Sequence, residues 1–122
     1  MSLLSTPFAG PFTTQLIKQT SANATPNEDV RGGATDVVMI QIDNSANPSQ
    51  SVYLHMYDNA APVVGTTPPD TTIKVLQGIV LELIFLPNLQ FGTALSFACT
   101  TLGGLGGSAS PTNPVIVDIA CS

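Results

Sequence analysis

Tyr53, His55 and Tyr57 stand at every second position of one short run, and His55 is the only histidine in the 122-residue chain. An imidazole acts as a general base when a nucleophile and an orienting carboxylate stand beside it, and as a metal ligand when other His, Cys or carboxylate groups share its site. The local sequence supplies neither. The row reads instead as a contact stripe, because aromatic rings with polar tips favour surfaces where protein meets protein; the alternative is a stripe lying under a loop. The acids Asp36, Asp43, Asp58, Asp70, Glu82 and Asp118 fall mostly at the ends of strand-like runs, where carboxylates close turns and blunt sheet edges. Glu28 and Asp29 form the only adjacent acidic pair, far below the ligand density of a calcium loop. Gly103, Gly104, Gly106 and Gly107 resemble a phosphate loop only in composition, since the Ser/Pro-rich segment that follows offers neither a helix start nor a Lys. The chain is therefore expected to be no enzyme and to carry no cofactor or metal.

The elements that must position these residues are strands. Val38, Ile40 and Ile42 alternate with Met39, Gln41 and Asp43, and Val52, Leu54 and Met56 alternate with Tyr53, His55 and Tyr57. Period two with many β-branched residues specifies strands, and the pattern predicts them near 35–43, 51–58, 71–76, 78–87, 94–101 and 114–121. Helices fail because Pro and Gly recur too often for a 3.6-residue period to persist. Short strands joined by polar turns predict an all-β antiparallel sandwich, jelly-roll-like or immunoglobulin-like, over residues 34–122. Cys99 falls in phase with Leu95 and Phe97, and Cys121 with Val115, Val117 and Ile119, so both are expected as core thiols; a Cys99–Cys121 disulfide is the alternative.

Composition narrows the partners. Only 9% of residues are charged, against about a quarter in ordinary domains, so the surface must be polar and mostly neutral. Such a surface is cheap to desolvate, which suits a protein packed against other subunits. The net charge is −5, and Lys18, Arg31 and Lys74 are the only basic residues; nucleic acid and anionic membranes are not expected partners. The longest apolar stretch, 78–86, is far shorter than the roughly 20 residues of a spanning helix. The amino end lacks the features of a secretory signal, which predicts synthesis in a cytoplasm. In 78–87, Val80, Ile84 and Leu86 oppose Ile79, Leu81, Leu83 and Phe85, so this strand is apolar on both faces and needs cover on both. Self-association through Tyr53, His55, Tyr57, Val80 and Ile84 is expected, with a closed homotrimer favoured because closure avoids runaway edge growth.

Residues 1–33 show no sustained period and predict an extended N-terminal arm whose Phe8, Phe12, Leu16 and Ile17 dock on a partner, a short strand over residues 16–20 being the alternative. Residues 42–62, the Val64-Gly-Thr-Thr-Pro-Pro-Asp crossover and Gln90-Phe-Gly-Thr-Ala-Leu-Ser-Phe-Ala-Cys-Thr-Thr together resemble small β-sandwich structural proteins of tailed phages and prophages. The likeness spans roughly residues 36–101 and rests on turn and strand patterns. Within that class the chain is most similar to capsid decoration (cement) proteins. The resemblance implies a location on the virion surface, the major capsid protein as partner and an arm that grips it. Small tail, baseplate or fibre modules, and carbohydrate- or receptor-binding sandwiches with Tyr53, His55 and Tyr57 as platform, are the alternatives.

Overall fold

The computed structural model describes residues 3–7 and 15–122. Eight strands follow in chain order: β1 (Leu3–Pro7), β2 (Gln15–Ala22), β3 (Thr35–Asp43), β4 (Val52–Asp58), β5 (Thr71–Val75), β6 (Val80–Phe91), β7 (Leu95–Thr100) and β8 (Val115–Cys121). They form two antiparallel sheets, one ordered β1-β2-β8-β3-β6 and the other β5-β4-β7. The inward positions of both, among them Ile17, Val37, Ile40, Ile42, Leu54, Met56, Phe97, Val117 and Ile119, make one buried core. The protein is a β-sandwich.

Its strand order decides between the two predicted windings. The segment 23–30 runs along the open edge of β7: Asn27 and Phe97 exchange both backbone hydrogen bonds, at 2.8 and 3.0 Å, Cys99 N–H donates to Asn23 O and Val30 N–H to Leu95 O. This segment serves as a fourth strand of the smaller sheet. Successive strands then cross from one sheet to the other at β2 to 23–30, β3 to β4, β5 to β6 and β7 to β8, the winding of a jelly roll.

Three expectations need correction. Residues 1–33 are not an appendage throughout, because β2 lies inside the larger sheet between β1 and β8, and Ile17 is 0% exposed. Ile17 belongs to the core and is not a docking residue, while Leu16 points outward and is partly exposed. Phe8 and Phe12 lie outside the described residues. Second, the inward set of β3 is Val37, Ile40 and Ile42 rather than Val38, Ile40 and Ile42. A bulge between Val37 and Met39 shifts the register against both neighbours, and one extra residue reverses the facing of everything before it. Third, the strand predicted at 78–87 starts at Val80 and runs to Phe91.

Cutting Ile17 to Ala should cost about 2–5 kcal/mol, as for other fully buried large-to-small changes. Deleting residues 1–20 should abolish cooperative unfolding, since it uncovers β8. Denaturant titration followed by circular dichroism reads both; a truncated chain unfolding at the wild-type midpoint would show that β2 is dispensable.

Candidate functional site

The two outer faces of the sandwich differ, and the difference begins in the loops. On the smaller sheet, Tyr53, His55 and Tyr57 point away from the core, as the alternation of β4 requires, yet His55 and Tyr57 are only 3% and 2% exposed. The segment after β7 folds back over Tyr53 and His55. His55 Nε2 lies 2.8 Å from Thr100 Oγ1 and 3.2 Å from the Leu102 carbonyl, and Nδ1 lies 3.1 Å from Thr72 Oγ1 on the neighbouring strand β5. Thr100 gives its own proton to Leu102 O at 2.7 Å. A carbonyl only accepts, so Nε2 carries the imidazole proton and Nδ1 accepts from Thr72.

Gly103 then passes so close to the Tyr53 ring that a Cβ there would stand 2.6 Å from Tyr53 Cε2. Lys74 Nζ lies 5.8 Å from the centre of the same ring. The contact stripe expected from Tyr53, His55 and Tyr57 is thus corrected: the segment after β7 roofs Tyr53 and His55, and Tyr57 is buried as well. Nothing in the alternation of β4 announces the roof, which is made by residues about 47 positions away in sequence. Burial pushes the His55 pKa down and the Tyr57 pKa up, so His55 is held neutral and fully engaged in packing.

On the larger sheet the outer face keeps large apolar side chains of the described residues exposed. Register places Leu16, Ala120, Met39 and Ile84 side by side across β2, β8, β3 and β6. The next outward row is Lys18, Asp118, Gln41 and Glu82. Lys18 Nζ meets Asp118 Oδ1 at 3.2 Å, with side chains 41% and 15% exposed. At the sheet edge Val80, Ile84 and Leu86 are 50%, 66% and 88% exposed, while Leu81, Phe85 and Leu89 turn inward onto the core. Val80 and Ile84 therefore stand open to a partner, and Leu16 and Met39 extend the same apolar row inward. The sequence pattern pointed to Val80 and Ile84; the rest of the row needed the strand order, which the sequence left open.

Cys99 and Cys121 are both buried free thiols, and burial pushes the Cys99 thiol up to about 12. Both are inert at neutral pH, because the thiolate is the reactive form. Asp58 turns its carboxylate onto the backbone N–H groups of Thr93, Ala94 and Gly92 at 2.8, 3.1 and 3.2 Å. These donors hold its pKa below the usual carboxylate value, and the turn into β7 is filled by the protein's own anion. Among the described residues, no three of His, Cys, Asp and Glu come together as a metal-ligand set.

Two acid-sensitive windows follow. Because the folded pKa of His55 is depressed, its share of stability is complete above the unfolded imidazole value of 6.5 and is lost as pH falls through the folded value. Asp58, also depressed, contributes above 3.8 and is lost below it as its folded value is passed. Thermal melts should show the first loss in wild-type protein and not in His55→Gln, and the second should vanish in Asp58→Asn. Gly103→Ala should loosen the roof over Tyr53 and raise quenching of tyrosine fluorescence by acrylamide; unchanged quenching would mean that the ring adjusts in place. Compared with family models, curated proteins and solved structures, the chain gives no match to any of the three.

Proposed function

We propose that the chain is a non-enzymatic structural subunit of a phage virion, a decoration protein that binds the outside of an assembled head and stabilises it. One observation carries the reading: strand β6 presents Val80, Ile84 and Leu86 at 50%, 66% and 88% exposure along a sheet edge that no other strand covers among the described residues. Full burial of such side chains returns about 1.5–3 kcal/mol each. An uncovered edge also invites strand pairing. A chain that keeps both features in solution is suited to a packed assembly.

Composition and resemblance support the same reading. With 9% charged residues, little of the surface resists desolvation. Residues 36–101 resemble phage decoration proteins, and the jelly roll is a winding that viral capsid domains use, though lectins and cupins use it as well. In this reading Phe8 and Phe12 reach the major capsid protein, with Leu16 at the base of that segment, and copies associate through the open face around Val80 and Ile84. Stabilisation follows from mass action, since a ligand of the assembled lattice that does not bind free subunits favours the lattice. A carbohydrate platform at Tyr53, His55 and Tyr57 is disfavoured because His55 and Tyr57 are buried.

Immunogold electron microscopy with antibodies to the chain, on virions induced from the source organism, tests the proposal. Label on the outside of heads is the expected result. Label confined to tails would move the protein to a tail or baseplate module, and unlabelled particles would overturn a virion role.

A further inference from the structure

The open face of the larger sheet has a pattern that selects its own occupant. Its central four strands run β2-β8-β3-β6, and two adjacent outward rows read Leu16, Ala120, Met39, Ile84 and Lys18, Asp118, Gln41, Glu82, followed by a row with Ile116, Asp43 and Val80. The second row has the charge order plus, minus, neutral, minus. Reversed, it reads minus, neutral, minus, plus. Laid over its own reverse, every position meets an opposite or neutral partner, and no like charges meet.

We infer that a second copy of this chain packs face to face on this sheet about a two-fold axis, which lies in the contact plane, parallel to the strands and between β8 and β3. That operation places β2 of one copy over β6 of the other and β8 over β3. Lys18 then meets the Glu82 of the second copy, Asp118 meets the second copy's Gln41, and both contacts occur twice. In the apolar row Leu16 covers Ile84 of the second copy, the side chain left 66% exposed in the single chain, and Met39 settles over Ala120, the smallest residue of the row. Two sheets stacked in this way keep the spacing of an ordinary sandwich, about 10 Å, with strands aligned to within about 30°. Lys18 already contacts Asp118 within its own chain at 3.2 Å; in the pair it bridges two carboxylates, one from each copy.

Charge sets the specificity here and the apolar row supplies the affinity. The inference deepens the structural-subunit reading by naming its self-association surface, and it replaces three-fold closure with an isologous pair. The alternative in which β6 edges pair directly makes no use of Lys18, so the two are separable by charge exchange.

The test is analytical ultracentrifugation of wild type, Glu82→Lys, Lys18→Glu and an equimolar mixture of the two variants, with circular dichroism confirming the fold of each. Wild type should sediment as a dimer. Glu82→Lys sets Lys against Lys, Lys18→Glu sets carboxylate against carboxylate, and each should weaken association by more than roughly tenfold. The mixture should recover the dimer, because each variant supplies the charge that the other lacks. Ile84→Asp should abolish association in every combination. A wild-type monomer or trimer, a Glu82→Lys variant that dimerises like wild type, or a mixture that stays dissociated would each overturn this interface. Head labelling alongside a monomeric chain would overturn the interface alone, whereas a dimer with unlabelled virions would overturn the virion role and leave the interface standing.

Discussion

Two buried side-chain amides hold one end of the sandwich together. Asn44 and Asn47 are 0% and 2% exposed. Asn44 Nδ2 donates to Gln50 O at 2.9 Å and Leu76 O at 3.1 Å, and its carbonyl accepts from Asn47 Nδ2 at 2.9 Å. Asn47 in turn donates to Asn113 O and accepts from Asn113 N–H, while its backbone carbonyl takes the Gly78 N–H. The β3–β4 loop, the β5–β6 turn and the approach to β8 are thus one hydrogen-bonded unit. Each partner lost from such a network strands a buried polar group at a cost of about 1–3 kcal/mol. The open apolar edge depends on this clamp, because β6 enters the larger sheet directly from the turn that Asn44 and Asn47 fix. Asp58 plays the matching part at the other end, tying the start of β7 to the end of β4.

The strands from β3 onward were legible because one face of each packs on the core and most alternate in sequence, β7 included although it is buried at every position. The phase within β3 was not, since a bulge leaves no mark in composition, and Val37 and Val38 are equally good core residues. Strand β2 was legible only as an alternative over residues 16–20, for a sharper reason. Its inward residues include Gln19, 0% exposed and bonded through Nε2 to Asn27 Oδ1 at 2.8 Å, while Leu16 faces outward. The usual polarity is inverted at two of its positions, so no alternation survives to be read. A buried Gln is tolerable only where a partner waits, and that partner sits on the segment that closes the other sheet. The burial of His55 was invisible for a related reason: whether an outward residue meets water depends on loops distant in sequence, and period says nothing about them.

The asymmetry of the two outer faces follows from where the chain places its irregular residues. Connections between strands are the only segments free to fold over a sheet, and in this winding the long one after β7 lies on the smaller sheet. Gly103 lets it approach the Tyr53 ring, where any Cβ would collide, and Leu102 O reaches His55. The same segment leaves its own Leu102 and Leu105 60% and 63% exposed, so roofing one face did not dispose of all the apolar surface. Among the described residues, the larger sheet keeps Val80, Ile84 and Leu86 exposed along β6. With 11 charged side chains in all, the row Lys18, Asp118, Gln41 and Glu82 gathers three of them on the outer face of the larger sheet. In a highly charged protein such a row would be one signal among many and would be screened by its neighbours. In the proposed pair, the scarcity of charge is what lets Lys18, Asp118 and Glu82 set how the two copies meet.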